Sequence, residues 1–210
     1  MKTCPDTPAA GSTRRNPPPR AAPTTAGSSR RCATLQDRAL AADAPDEVIS
    51  EAADLVEKVA ALLAPYEADE WSAPSGRRFD LPNRGNILTV PMRVEKVPLD
   101  GSAGRIRGTA RFARYHLGRN GAVHGGALGL LFDSVLGLTS AVLTGSRYQR
   151  TAYLHVDYRH IVPIEKELQV DAGVDRIDGR KIFVSGRLCD GDTLLTEAQG
   201  LFVLLKPGQP

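Results

Sequence analysis

The chain has 210 residues, 41% of them apolar, which is enough for one folded core with some chain left over. No stretch reaches the roughly 18 uninterrupted apolar residues of a membrane-spanning helix, so the sequence predicts no membrane span. The formal net charge is +3, but residues 1–36 carry a net +5 and the remaining residues a net −2. A nucleic-acid-binding domain is expected to carry its basic patch on folded structure. The charge pattern therefore argues against a nucleic-acid partner.

The cysteines and histidines argue against a metal site. The cysteines are odd in number, widely spaced and form no CxxC pair: Cys4, Cys32 and Cys189. This pattern is also atypical of a disulfide framework and favours a reducing, cytoplasmic location. Three histidines are too scattered to share a metal ion: His116, His155 and His160. We expect neither a metal nor a redox cofactor.

Residues 1–36 are predicted to form a disordered basic tail. The segment is rich in Pro, Ala, Ser, Thr and Arg, contains the run Pro17–Pro19 and has almost no large apolar residue. Such a segment buries too little apolar surface to offset the entropy lost on ordering. It also lacks the apolar core of a secretory signal.

Residues 37–84 are predicted to form one amphipathic helix and a loop. Within Asp46–Tyr66 the apolar side chains recur at helical spacing, with charged residues such as Glu51 and Asp54 on the opposite side. Pro65 should end the helix, because proline cannot continue its hydrogen bonding. We interpret it as a packing helix without chemistry.

The rest of the chain alternates between strand patterns and one long apolar helix. In chain order the predicted elements are strands Asn86–Val94 and Gly104–Ala113, helix His124–Leu143, and strands Tyr153–Ile161, Glu167–Ile177, Lys181–Cys189 and Thr193–Leu205. Asp178-Gly179 and Asp190-Gly191 are hairpin turn signals between consecutive strands. A helix that is apolar nearly all round must be buried. We therefore predict an α+β fold in which an antiparallel sheet wraps around the helix.

The start of this helix carries two glycines, in the run His124-Gly125-Gly126. Glycines let another molecule approach the backbone closely. The first N–H groups of a helix have no partner inside it, and the helix dipole favours negative charge there. Such N–H groups can stabilise the oxyanion that forms when a thioester carbonyl is attacked. The alternative is that the glycines only permit tight packing.

Asp133 is unusual because its neighbours along the helix are apolar. A buried carboxylate costs free energy unless it is paired or used, and desolvation makes it a better base. Gly125 and Asp133 lie eight residues apart, about 12 Å along one helix axis. One thioester carbon cannot touch both. If both act on one substrate they come from two subunits, which predicts a symmetric dimer with two antiparallel helices.

These residues resemble the PaaI-type thioesterases of the hotdog superfamily, and within it the branch of the mitochondrial thioesterase superfamily members. The likeness runs from about Gly85 to Lys206. Its most specific stretches are His124-Gly-Gly with Asp133 nine positions on, Thr151–Pro163 and Asp178–Ser185. The resemblance implies a hotdog domain over 85–206 and a dimer or dimer of dimers with a continuous sheet.

By resemblance, four residues are catalytic. Asp133 is the general base or nucleophile, and the Gly125 N–H polarises the thioester carbonyl. His124 shapes the turn, and Thr151 holds the attacking water or steadies Asp133. Without the resemblance, Thr151 is equally an ordinary strand residue.

The resemblance also implies positions for coenzyme A, whose phosphates require cations. The candidates are Asn120, Gly126, Asp157, Arg159, Arg180 and Lys181. Relatives often carry an asparagine about six residues before the histidine, where this chain has Gly118, and Asn120 is the nearest asparagine. The alternative for the charged residues is a solvated strand face and a hairpin tip.

The predicted activity is hydrolysis of acyl-CoA thioesters without a cofactor. Two alternatives stay open. One is a non-catalytic acyl-CoA or lipid-binding module on the same fold, since a fold does not determine a function. The other is a hotdog dehydratase or hydratase acting on the acyl chain.

Overall fold

A computed structural model of the protein describes residues 23–69, 72–78, 81–96, 104–145 and 148–209. Contacts divide the chain from residue 18 onward into two compact units, Pro18–Ile87 and Leu88–Pro210. The sequence pattern predicts the start of the second unit at residue 85.

The first unit is helical. It contains α1 (Pro23–Ala41), α2 (Asp46–Leu63) and two short 3-10 helices, Ala64–Tyr66 and Pro82–Gly85. The disorder predicted for the tail is wrong for residues 23–36, which belong to α1, whereas residues 1–22 lie outside the described residues. Low apolar content does not prevent a helix here: proline is tolerated at the first helical position, and Ala, Leu, Gln and Arg favour the state.

Helix α2 follows the predicted boundaries closely. Asp46 and Glu47 occupy its first turn, where negative charge complements the helix dipole, and Pro65 follows within the 3-10 turn. None of its residues is buried. Val48, Leu55 and Val59 are each about half exposed, so the packing role of this helix stays a prediction.

The second unit contains a six-stranded antiparallel sheet. Its strands are β1 (Met92–Lys96), β2 (Arg105–Arg111), β3 (Gln149–Tyr158), β4 (Glu167–Asp178), β5 (Lys181–Asp190) and β6 (Thr193–Leu204). Their order across the sheet is β1-β2-β4-β5-β6-β3, so β3 lies at an edge. Gly179 and Gly191 adopt positive φ in the two predicted hairpin turns.

The first strand is shorter than predicted. It begins at Met92, whereas the sequence pattern suggested Asn86. Pro91 precedes it and has no N–H to donate to a neighbouring strand, although its carbonyl accepts a hydrogen bond from the Arg111 N–H. The ladder between β1 and β2 therefore starts only after this proline.

Helix α3 (Gly125–Thr144) packs against the inner face of the sheet. By length and mean hydropathy it is apolar enough to cross a membrane. Here its apolar side chains build the core, including Leu128, Leu131 and Phe132, against strand residues such as Val170 and Ile182. The α+β arrangement predicted from the sequence is confirmed.

Cysteine usage differs from the expectation in one respect. Cys189, near the end of β5, is disulfide-bonded, whereas Cys32 is a free thiol. The odd number and the spacing of the cysteines predicted no disulfide, and neither property reports distance in space.

Candidate active site

His124 forms the cap of helix α3. Its Nδ1 accepts a hydrogen bond from the Gly126 N–H at 2.9 Å, so the neutral ring carries its proton on Nε2. The His124 N–H in turn donates to the His116 carbonyl at 2.8 Å. The buried His116 thereby supports the exposed His124 through its backbone carbonyl. This hydrogen bond is a physical means by which His124 could shape the turn as predicted.

The two glycines after His124 are not equivalent. The Gly126 N–H is used by the cap, whereas the Gly125 N–H donates to no atom of the described residues. Gly125 is therefore the N–H free to face a ligand. A Cβ at Gly126 would lie 3.1 Å from the His124 ring, which explains why a glycine follows the free donor.

Tyr158 also reaches this turn, which the sequence analysis missed as a site residue. Its hydroxyl donates to the Gly125 carbonyl at 3.2 Å. Tyr158 ends β3 after Leu154 and Val156, which pack against the core. The strand alternation placed it on that inner face, but only the packing of β3 alongside α3 brings it to the helix start.

Asp133 is exposed. The expectation of a buried carboxylate is wrong for the single chain, because this side of α3 is not covered by the chain's own sheet. The Thr151 hydroxyl donates to Asp133 Oδ1 at 2.9 Å. Among the described residues this is its one hydrogen-bond partner, so most of the carboxylate is open to a ligand. This hydrogen bond is the contact that Thr151 needs in order to steady Asp133. A catalytic role for Thr151 stays a prediction.

Gly125 and Asp133 belong to one continuous helix, so about 12 Å of axis separates them. One cavity in the described residues, of about 260 Å³, does not join them. It is lined by Arg105, Asp157, Ser185, Gly186, Arg187, Glu197, Ala198 and Gln199. Within the single chain the two groups are therefore separate.

Asn120 lies at the tip of an exposed turn with φ 55°, and its side chain has no hydrogen bond to the described residues. A Cβ on Gly118 would lie 3.1 Å from the His124 Cα, so a side chain at this position would require a small shift of the loop or of the histidine.

Asp157 and Arg159 belong to an ion-pair cluster. Arg159 binds Glu197 at 2.8 Å and Asp157 at 3.1 Å, and His155 lies 3.3 Å from Asp157. Arg159 is therefore already balanced by two carboxylates. This weakens its candidacy as a phosphate ligand, and the assignment stays a prediction.

Arg180 and Lys181 follow the tip of the β4–β5 hairpin. Arg180 donates to the Leu204 carbonyl at 2.8 Å. Lys181 pairs across the strands with Val203, and Val203 pairs on its other side with Arg150. Arg150 directly precedes Thr151, so these three cations gather at the end of the sheet that carries Thr151, with Arg150 and Lys181 on the face opposite to the Thr151 side chain. This grouping follows from strand register, which the sequence alone does not reveal.

Asp171 forms a separate charged cluster on the outer face of the sheet, which is the face turned away from α3. It is buried and makes a two-point contact with Arg105. Arg187 lies 3.3 Å away and Arg107 3.6 Å away. Desolvation opposes its ionisation, but the hydrogen bonds and charges of the arginines prevail and lower the pKa of Asp171. We interpret this cluster as structural.

Comparison with known proteins agrees with this architecture. The thioesterase superfamily model matches residues 120–197. The chain is 37% identical over 95 residues to acyl-coenzyme A thioesterase THEM4 of Xenopus laevis, which covers 44% of this chain and 42% of that protein. For THEM4 of Mus musculus the identity is 38% over 92 residues, covering 43% and 39%. The chain thus spans about two fifths of the length of these relatives.

Two further matches cover more of the other protein. A Pseudomonas aeruginosa protein with a provisional esterase name is 32% identical over 95 residues, covering 45% of this chain and 71% of that protein. The crystal structure of a thioesterase superfamily protein matches with a TM-score of 0.71 and 25% identity, covering 90% of this chain and 93% of that chain. The chain belongs to the thioesterase superfamily, and its sheet and central helix form the hotdog fold.

Proposed function

We propose that this protein hydrolyses acyl-coenzyme A thioesters to free fatty acid and coenzyme A, at sites shared between two copies of the chain. The observation that carries the proposal is the hydrogen bond from Thr151 of β3 to Asp133, which lies on the helix whose first residue, Gly125, has an unused N–H. The names of the THEM4 relatives support the substrate class.

In the proposed reaction, Asp133 removes a proton from water, and the water oxygen attacks the thioester carbon. The negative charge that develops on the carbonyl oxygen is stabilised by the partner's Gly125 N–H. The C–S bond then breaks, and the coenzyme A thiolate leaves and takes up a proton. If Asp133 attacks directly, an acyl anhydride forms first and water hydrolyses it in a second step.

The shared site rests on the uncovered side of α3. Gly126, Leu130 and Asp133 are exposed along it, and a Cβ added to Gly129 would meet no atom within 4 Å. Gly129 lies midway between Gly125 and Asp133. Two antiparallel copies of α3 crossing at Gly129 would bring each Gly125 to the other Asp133, and a residue without a side chain favours a close crossing.

The edge strand supports the same dimer. Strand β3 pairs with β6 on one side and, among the described residues, with no strand on the other. A ten-residue edge of this kind can pair with a second strand. Pairing of two β3 strands would continue the sheet and set the two α3 helices side by side.

Coenzyme A brings phosphates, and Arg150, Arg180 and Lys181 offer cations at the end of the sheet that carries Thr151. Charge-assisted contacts of this kind orient a phosphorylated ligand. We include Arg150 because cross-strand register puts it beside Val203, opposite Lys181.

The activity is tested by incubating purified full-length protein with acyl-CoA substrates of increasing chain length and trapping the released thiol. We expect free coenzyme A to form catalytically. Tight acyl-CoA binding without release at any chain length would indicate the binding-module alternative and contradict the proposed hydrolysis.

The shared site is tested by mixing two inactive variants. Gly125→Pro removes the free N–H at a position where proline suits a helix, and His124 already has the extended backbone that precedes proline. Gly125→Ala is the matched control, because it adds a Cβ and keeps the N–H. Denaturing and refolding Gly125→Pro together with Asp133→Asn should restore about 25% of wild-type activity, because half of the dimers are mixed and each has one intact site. Activity of the mixture no higher than that of each variant refolded alone would contradict the shared site.

A further inference from the structure

The start of strand β3 makes a second polar contact with α3, two residues before Thr151. The Gln149 side chain accepts a hydrogen bond from the Ser140 hydroxyl at 2.6 Å. Its amide nitrogen donates to the Gly137 carbonyl at 2.9 Å. Both ends of the Gln149 amide are engaged, so its orientation is determined by the helix.

These contacts fall on one stripe of α3. Asp133, Gly137 and Ser140 are spaced by four and three residues, which puts them on one side of a helix. Thr151 holds the first of them, and Gln149 holds the other two. A three-residue stretch of β3 therefore anchors two turns of the helix that carries Asp133.

The Gln149 contacts are costly to lose. Ser140 is fully buried, and a buried hydroxyl without a partner destabilises the fold. Gly137 allows the helix to lie close to the sheet, since a Cβ there would be 3.4 Å from the Phe202 ring. The helix and sheet thus approach closely at the point where Gln149 reaches across.

We propose that Gln149 is a positioning residue for Asp133, holding α3 in the register and rotation at which Thr151 reaches the Asp133 carboxylate. The inference rests on the proposed thioesterase function for its catalytic consequence. A rotation of α3 by a few degrees moves Asp133 against Thr151, and small misplacements of a catalytic group lower the rate strongly. Gln149 touches no reacting atom.

The test compares Gln149→Met, which keeps the size of the side chain and removes both hydrogen bonds, with Thr139→Val. Thr139 is also fully buried, and its hydroxyl donates within the helix to the Val135 carbonyl. Thr139→Val therefore also removes a buried hydrogen bond of α3, but leaves the Gln149 contacts intact. We expect Gln149→Met to lower kcat about tenfold with KM within about twofold. Thr139→Val should change kcat by less than about twofold.

A double-mutant cycle distinguishes positioning from general stability. If Gln149 acts through the Asp133–Thr151 contact, then Gln149→Met combined with Thr151→Val should be little slower than Thr151→Val alone. The proposal would be overturned if the kcat losses of Gln149→Met and Thr151→Val multiplied in the double variant. It would also be overturned if Gln149→Met lowered kcat no more than Thr139→Val does. Should Gln149→Met not fold, Ser140→Ala provides the same cycle, because it removes one of the two Gln149 contacts.

A spectroscopic readout keeps the two proposals separable. The carboxyl carbon resonance of Asp133 at pH 7 should move in Gln149→Met in the direction seen in Thr151→Val, and stay in place in Thr139→Val. A protein with this signature but no hydrolysis would contradict the proposed function and support the positioning. Hydrolysis with an unmoved resonance would contradict the positioning alone.

Discussion

Asp133 and Asp171 occupy opposite environments on the two sides of the sheet. Asp171 is buried on the outer face and surrounded by Arg105, Arg107 and Arg187, whereas Asp133 is exposed and bonded to a single hydroxyl. A carboxylate whose oxygens are all taken by cations stabilises a fold. A carboxylate with free lone pairs, held in place by one donor, can accept a proton. The number of partners, more than burial, separates the structural aspartate from the proposed catalytic one.

The largest effect should come from Asp133→Asn. The amide cannot accept the water proton or attack the thioester, so we expect kcat to fall by at least about 100-fold. Asparagine keeps the size of the side chain and an oxygen that can accept the Thr151 hydrogen bond, so the proposed dimer, measured by light scattering, should persist. Asp192→Asn, an exposed turn residue, is the matched control and should keep full activity. Wild-type turnover by Asp133→Asn would contradict the comparison of the two aspartates.

Asp171→Asn should show the reverse pattern. Three arginines would lose their carboxylate, and we expect the free energy of unfolding to fall by roughly 2 kcal/mol, since hydrogen bonds to charged groups contribute about 1.5–3 kcal/mol. Chemical denaturation measures this loss. The kcat of the folded variant should stay within about twofold of wild type, since the cluster lies on the face away from α3.

The same substitution should change the response to acid. The pKa of Asp171 is lowered on folding from its ordinary value of 3.8. Its contribution to stability is thus present above that value and is lost as pH falls through the lower, folded pKa. Between pH 7 and pH 2 the melting temperature of wild type should fall more steeply than that of Asp171→Asn. Parallel curves would show that the cluster does not contribute.

Thr151→Val should have an intermediate effect on activity. The substitution keeps the shape of a branched side chain and removes the hydroxyl that bonds to Asp133. We expect kcat to fall about tenfold, because one orienting hydrogen bond is lost while the carboxylate remains. Thr193→Val, at the exposed start of β6, is the control. An unchanged kcat would mean that Thr151 is an ordinary strand residue.

The smallest effect concerns the cations. Lys181→Ala with Arg150→Ala should raise KM for acyl-CoA about threefold to tenfold and leave kcat nearly unchanged, because in the proposed site these exposed charges contact the phosphates and not the reacting group. An acyl thioester of pantetheine lacks those phosphates and should show no change. An equal rise in KM for both substrates would indicate damage to the site itself.

Several elements were predictable because their signals are local. The hairpin glycines Gly179 and Gly191, the end of α2 at Pro65 and the apolar helix after His124 all depend on residues within a few positions. The burial of Asp133 was wrongly expected, because neighbours along a helix surround all its sides and do not say which side the sheet covers. Tyr158 and Gln149 became candidate residues only through the pairing of β3 with β6 and its packing alongside α3.

The sequence by itself determined the class of fold, the helix start at His124 and the separation of Gly125 and Asp133 along one helix, from which the shared site between two chains is proposed. These follow from periodicity, from glycine chemistry and from the length of a helix, which are properties of neighbouring residues. Only the tertiary structure decided that the Thr151 hydroxyl reaches Asp133 and that the Gly126 N–H donates to the His124 ring. It also decided that Asp171 is the buried carboxylate. Those facts depend on contacts between residues far apart in the chain, which strand register and packing determine.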